Sequence, residues 1–296
     1  MLIKELIDKG VQTISVLYPD REAREMVMLY LEDVHDIRRM AHILEPSLEV
    51  PEKIVLESIE AFERMASGEP LQYIIGKAHF YGRDFNVCPS VLIPRPETEM
   101  LCREIIETGR SMFTADTRPK ILDLCTGSGC IAWTLALEMP GAMVVGVDIS
   151  DDALDVAASQ VFVEELTRMK ASAPGFTKAD VLAGPPGTFG KFNVIVSNPP
   201  YVMDSEKSQM RVNVLEHEPH LALFVPDNDP LVFYRAIAEW SHVHLLPGGF
   251  GMVEINEALG EETASIFSDR GFVGVEIVKD LSERDRFVRF FRPKFV

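Results

Sequence analysis

The sequence lacks any concentration of positive charge: 29 lysines and arginines stand against 46 acids, a formal net charge of −17 at pH 7, and no basic run breaks that balance. Such a surface repels polyphosphate, so free DNA or RNA is not the expected partner, whereas a protein substrate, above all a basic one, is compatible with it. Solubility is the commoner reason for an acid excess and suffices here. Cysteine is scarce. Cys88, Cys102, Cys125 and Cys130 show no C-x-x-C spacing, which argues against a zinc site or a disulfide framework and for reduced, mostly buried thiols. The seven histidines form no ligand set. His217 and His220 flank Glu218-Pro219 in a loop, and His242 and His244 fall two apart in a helical stretch, where side chains diverge; no metal is expected. No apolar stretch approaches the roughly 18 residues that cross a bilayer, and Met1 to Asp8 mixes acids with apolar residues, unlike a signal peptide. A soluble, cytoplasmic monomer without membrane contact is the expectation. Internal repeats and low-complexity segments are also missing.

At 296 residues the chain exceeds one typical core, so one large domain plus a smaller one is expected. Residues 1–75 read as helical: Ala23, Met26, Val27, Tyr30, Leu31 and Val34 recur at three- and four-residue steps after Pro19-Asp20, and Val55, Ile59, Phe62 and Met65 form a second stripe between Pro51 and Gly68. Residues 76–92 switch to short alternating runs around Gly82-Arg83-Asp84, which reads as a β-hairpin linking two domains. From 93 to 296, strand and helix signals alternate. Strands are expected at Lys120–Cys125, Met143–Ile149, Phe176–Ala179, Phe192–Val196 and Phe250–Ile255, helices at Ile131–Glu138, Asp151–Thr167, Leu231–Leu245 and Ala258–Arg270, and a turn at Pro247-Gly248-Gly249. That alternation describes a parallel sheet with helices on both faces, and the runs Val273–Val278 and Phe287–Phe291 are placed to pair antiparallel at its edge.

Two places on this sheet carry chemistry. The segment Ile121 to Ala132 is a buried strand, a glycine turn and the first turn of a helix; Gly127 permits the tight turn, Gly129 lets backbone approach a ligand, and Ala132 permits close helix packing. Asp148 closes the next strand, where an acid can take ribose hydroxyls. By spacing alone, the turn fits a dinucleotide as well as an adenosyl sulfonium. Asp123, Asp148 and Asp180 around the turn and the absence of a basic residue near it favour a cationic donor, S-adenosylmethionine, over a pyrophosphate. The fourth strand then ends in Asn198-Pro199-Pro200-Tyr201 at the same sheet edge. Proline fixes φ and disfavours helical geometry in the residue before it, so the corner is stiff. A planar NH₂ group could donate one hydrogen to Asn198 Oδ1 and the other to the Pro199 carbonyl, with Tyr201 packed against it. A protein side-chain amide and an exocyclic base amine both meet that description.

Further motifs narrow the choice. Gly68 to Gly76, Phe80-Tyr81-Gly82, Ile93-Pro94-Arg95-Pro96-Glu97-Thr98-Glu99, the Asp123 to Gly129 turn, Asn198 to Tyr201, Glu218-Pro219 and Asp285-Arg286 together resemble the PrmC/HemK protein-(glutamine) methyltransferases, which modify the Gly-Gly-Gln motif of class I peptide-chain release factors. The resemblance covers nearly the whole chain. It implies an α/β fold, a Rossmann-like class I S-adenosylmethionine-dependent methyltransferase domain with a small N-terminal helical domain that docks substrate. It further implies a donor site of Asp123, Cys125, Thr126, Gly127, Ser128, Gly129, Asp148, Asp180, Val181 and Asn198, and an acceptor site of Asn198, Pro199, Pro200 and Tyr201. Two positions depart from the family pattern. Cys125 stands where the family usually has glycine, and Val181 where relatives often carry an aromatic residue. The string Cys125 to Cys130 is similar to sister enzymes that methylate a glutamine of a ribosomal large-subunit protein, so that substrate stays open beside the release factor. A nucleic-acid amino-methyltransferase and a catalytically silent nucleotide-binding Rossmann-type module are the remaining alternatives.

Overall fold

Apolar stripes at helical spacing organise the start of the chain. In the computed structural model, which describes residues 1–114 and 117–294, the chain divides into two units, 1–77 with 210–217 and 78–209 with 218–296. The smaller is helical, with main helices Ile3–Ile14, Asp20–His35 and Glu52–Ala66. Pro19 and Pro51 stand immediately before two of them, where a fixed φ sets the entry direction without costing an intrahelical hydrogen bond. Ile3, Leu6, Ile14, Val27, Phe62 and Met65 meet in its core. Within the expected stripe Ala23, Val27, Tyr30 and Leu31 are buried, but Val34 is exposed at the end of its helix. Residues 210–217 belong to this unit, although they fall in the stretch 93–296 read as the second domain; Arg211 there pairs with Glu22 at 3.3 Å.

In the larger unit β1 (Lys77–Phe80) and β2 (Arg83–Asn86) form the expected hairpin around Tyr81 and Gly82, whose φ values of 51° and 74° suit a two-residue turn. It is not a free linker. Phe80 and Phe85 are fully buried among Ile105, Trp133 and Phe162, and the Arg83 guanidinium donates to Glu138 at 2.7 Å and Glu165 at 2.6 Å. Each buried phenylalanine contributes on the order of 2 kcal/mol, which binds the hairpin into this unit's core.

The main sheet contains β3 (Lys120–Leu124), β4 (Met143–Asp148), β5 (Gly175–Lys178) and β6 (Phe192–Ser197). After the small parallel pair β7 (Val202–Met203) and β8 (Phe224–Val225) come β9 (Leu245–Glu254), β10 (Val273–Lys279) and β11 (Asp285–Phe291). The order across the seven-stranded sheet is β10-β11-β9-β6-β3-β4-β5, parallel except that β11 runs antiparallel to both neighbours. From β3 the chain winds one way to β4 and β5 and then crosses to β6 on the other side. The carboxyl ends of β3 and β6 therefore flank the crevice where open α/β sheets bind ligands.

Two local expectations change. The helix expected over Asp151–Thr167 is two helices, Asp151–Ala158 and Val163–Met169. Between them Gln160 turns inward to donate to the carbonyls of Asn86 and Ser128, and Phe162 packs on Trp133 and Phe85, contacts a continuous helix would not make. The Pro247-Gly248-Gly249 turn lies inside β9 as an irregularity: pairing with β6 jumps from Phe192–Leu245 to Val194–Phe250. Gly248 N–H donates to the Arg292 carbonyl and Arg292 N–H to the Gly249 carbonyl, so the backbone polar groups of the bulge are satisfied.

Candidate active site

The loop after β3 is built on left-handed backbone. Cys125, Gly127 and Gly129 have φ values of 60°, 54° and 77°. Thr126 N–H donates to the Val147 carbonyl of β4 and Gly129 N–H to the Thr126 carbonyl, closing the turn before the helix Cys130–Glu138. Gly127 takes the left-handed turn expected of it, whereas Gly129 serves a different end. At Gly129 a Cβ would lie 3.0 Å from Ala157 and 3.1 Å from Phe176, so this glycine makes room for packing beneath the turn and does not line the cavity. At Gly127 a Cβ would meet nothing within 4 Å, and this residue does line the cavity.

Asp123 likewise supports the turn from below. It is fully buried, its Oδ2 accepts from Thr126 Oγ1 at 2.6 Å, and burial, with Asp148 adding to it, raises its carboxyl to about 7. The carboxylates that line the cavity are Asp148, Asp152 and Asp180, not Asp123. Asp148 accepts from Gly127 N–H at 2.9 Å and Ser150 N–H at 3.0 Å, which fixes the carboxylate and leaves each oxygen further acceptor capacity. Asp180 accepts from Leu182 N–H at 2.8 Å with one oxygen.

Cys125 is a strained residue. A side chain in the left-handed region costs about 1 kcal/mol, which explains a preference for glycine at this place. Cys125→Gly is expected to hold stability within about 1 kcal/mol of the parent, because relief of that cost offsets the entropy glycine adds to the unfolded chain. Cys125→Val should lose about 2 kcal/mol or more, since a β-branched side chain fits this backbone poorly; urea titration measures both. The thiol is no nucleophile: burial pushes Cys125 well up, and Cys130 up to about 12.

Around the turn lies a cavity of about 380 Å³. Ile149, Val181, Leu182 and Phe233 supply apolar wall beside Asp148 and Asp180, and Ser128 and Thr126 belong to the same lining. An open glycine, two anchored acids and an apolar slot suit an adenosine with a positively charged centre.

On the far side stands the corner after β6. Asn198 and Pro200 line the cavity, whereas Pro199 and Tyr201 do not. Asn198 Nδ2 donates to Thr98 Oγ1 at 3.1 Å, and Thr98 Oγ1 donates to Glu254 Oε2 at 2.8 Å. Tyr201 Oη donates to Glu254 Oε1 at 3.2 Å, so its hydroxyl points to the end of β9, not to a substrate. Asn256 Nδ2 donates to the Tyr201 carbonyl and to Glu206 Oε2, which ties down the chain leaving the corner.

The cavity's third wall is Ile93 to Thr98. Pro94, Arg95 and Thr98 line it, and the segment is clamped by Glu218, whose Oε1 takes Arg95 Nη2 at 2.6 Å and whose Oε2 takes Ile93 N–H at 3.1 Å. Glu218 is 4% exposed. Sequence reasoning put Glu218 and Glu254 in no site. A carboxylate ending the buried run Phe250 to Val253, on the edge that also carries Asp148 and Asn198, was the available signal for Glu254. Among the described residues no group of three or more His, Cys, Asp or Glu is arranged for a metal, and no helix is long and apolar enough to cross a membrane.

Comparison with known proteins identifies the family. The Methyltransferase small domain model matches residues 101–221 and the PrmC N-terminal domain model residues 5–76. The Release factor glutamine methyltransferase of Flavobacterium psychrophilum is 37% identical over 98% of this chain and 99% of its own. That of Bacteroides thetaiotaomicron is 39% identical over 93% and 95%. Among solved structures, the release-factor-specific protein-(glutamine-N5) methyltransferase of Alicyclobacillus acidocaldarius is 30% identical, with a TM-score of 0.40 over 72% of this chain and 99% of that one. Full-length identity well above 30% to these curated sequences makes the chain a member of the release factor glutamine methyltransferase family.

Proposed function

We propose that this enzyme transfers a methyl group from S-adenosylmethionine to the side-chain amide nitrogen of the glutamine in the Gly-Gly-Gln motif of class I peptide-chain release factors. The observation that carries the acceptor assignment is the orientation of Asn198, whose NH₂ is turned to Thr98, leaving Oδ1 as the acceptor at a cavity-lining position. The names borne by the full-length relatives favour the release factor over a ribosomal protein.

The bound donor supplies an electrophilic methyl on a sulfonium. Asp148 accepts from the ribose hydroxyls, Asp180 and the Val181–Leu182 wall hold the adenine, and the Cys125 to Gly129 turn gives close approach at Gly127. Asp123 keeps that turn in shape from beneath. At the corner, Asn198 Oδ1 takes one amide hydrogen and the Pro199 carbonyl the other, while Pro200 and Tyr201 stiffen the place where they meet. An amide nitrogen is a weak nucleophile because its lone pair is delocalised into the carbonyl, so alignment with the donor methyl is the enzyme's main task. As the new N–C bond forms and the C–S bond breaks toward sulfur, positive charge develops on nitrogen; the two carbonyl dipoles stabilise it until a proton leaves to solvent. No strong base is needed beforehand. The helical unit 1–75, as first delimited, is proposed as the docking module for the protein substrate.

The test is mass spectrometry of a purified release factor, a large-subunit ribosomal protein and RNA, each incubated with enzyme and isotopically labelled donor. The release factor should gain one labelled methyl on the glutamine of Gly-Gly-Gln. Label on the ribosomal protein alone, or on RNA with turnover falling steeply in salt, would replace this substrate; tight donor binding without any transfer would point to a silent binding module.

A further inference from the structure

A carboxylate with no ion pair among the described residues lies behind the corner. Glu254 is 1% exposed, and its two oxygens are met by hydroxyls, Thr98 at 2.8 Å and Tyr201 at 3.2 Å. The guanidinium of Arg286 on the adjacent strand β11 is engaged elsewhere, with Asp280 at 3.1 Å and Glu257 at 3.8 Å. Keeping a buried carboxylate on hydroxyl partners alone is costly.

Its consequence is directional. A hydroxyl has one proton. While Glu254 is ionised it can only accept, so Thr98 spends its proton on Glu254 and its oxygen can then only accept. The one partner that can donate to it is the Asn198 NH₂. The carboxamide is thereby held with Oδ1 turned the other way. We propose that Glu254, acting through Thr98, is a positioning residue that fixes the orientation of the Asn198 carboxamide and so keeps an acceptor, not a donor, facing the substrate amide. This rests on the reading of Asn198 as the acceptor for that amide.

Protonation breaks the logic. A neutral Glu254 can donate to Thr98, which frees the Thr98 proton for Asn198 Oδ1 and permits the reversed carboxamide. Burial raises the Glu254 carboxyl to about 7, against the lowering effect of Thr98, Tyr201 and Arg286. The other titratable and charged groups facing it are Glu97 and Cys102 on the helix Pro96–Met112, Cys130 at the start of the next helix and Tyr234 on the helix Val232–His244. The active orientation is therefore enforced above about pH 7 and no longer enforced below it.

The test measures kcat and donor Kd from pH 5.5 to 8.5 on the full enzyme with a release factor as substrate. The parent's kcat should fall as the pH drops below about 7, toward a lower plateau as the reversed carboxamide becomes populated; this fall is the acid limb. Glu254→Gln should have lower kcat at pH 8 and no such limb, with donor Kd within about threefold of the parent; an isosteric neutral side chain in a merely structural place would leave the profile's shape unchanged. A limb from Asp123, which titrates in the same range, would survive in this variant. Thr98→Val should lower kcat about 10- to 100-fold by the loss of one buried relay, roughly 1.4 to 2.7 kcal/mol, and Thr98→Ser should recover most of it. If Glu254→Gln does not fold, the Thr98 pair decides. If Asn198→Ala abolishes transfer while Glu254→Gln keeps the parental profile, or Thr98→Val the parental kcat, the positioning role is overturned and the acceptor reading stands. If Asn198→Ala is itself fully active, the acceptor reading fails first.

Discussion

Asn198→Ala is expected to lower kcat for release-factor methylation by about 10²- to 10³-fold while the donor Kd moves by less than about threefold. The size follows from losing one preorganised polar group aimed at charge that develops only in the transition state, about 2.7 to 4 kcal/mol. The selectivity follows from position. Asn198 stands after β6, whereas Asp148 ends β4 and Asp180 follows β5, so truncating the carboxamide removes the proposed acceptor and leaves the acids proposed to hold the donor in place. Stability should fall only about 1 kcal/mol, the cost of leaving Thr98 Oγ1 without its donor. Single-turnover kinetics with donor binding by calorimetry checks all three. An unchanged kcat would remove Asn198 from the acceptor role.

Asp148→Ala has the opposite signature. Donor affinity should fall about 30- to 1,000-fold, because hydrogen bonds from ribose hydroxyls to an ionised acceptor contribute roughly 1 to 2 kcal/mol each and two are lost. The backbone amplifies it. Gly127 N–H and Ser150 N–H both point at this carboxylate, at 2.9 and 3.0 Å, so its removal also loosens the glycine turn from β4. At saturating donor, kcat should recover to within about tenfold of the parent. Calorimetric titration with the donor and with its demethylated product measures the loss; an unchanged Kd would place the ribose elsewhere.

Local features were legible and distant ones were not. The glycine turn and the Asn198 to Tyr201 corner are each formed by consecutive residues whose backbone restrictions can be read directly, and both fall on the carboxyl edge where strand alternation put them. Asp123 was misplaced because residue type and proximity to the turn suggested a wall position, while only the fold shows that it reaches inward to Thr126. Gly129 was read for ligand approach, and its neighbours Ala157 and Phe176 come from the next helix and strand. Thr98, Asn198 and Glu254 are separated by 100 and 156 residues along the chain, so no window contains the relay they form. Asp151–Thr167 has continuous helical patterning; Gln160 breaks it for partners at Asn86 and Ser128 that the pattern does not encode.

The position of β11 bears on how the sheet is assembled during synthesis. β10 emerges before β11 but pairs in the sheet only with it, and β11 in turn lies between β10 and β9. Until β11 is available β10 has no edge to join, and β9 keeps one side of its ladder unpaired, with Phe290 not yet seated against Gly251. The nascent large unit thus carries an open apolar edge through the synthesis of two further elements, the kind of intermediate that chaperones shield. Glu254 ends β9 opposite Phe287 of β11, so the relay behind Asn198 acquires its buried setting only when this late strand docks.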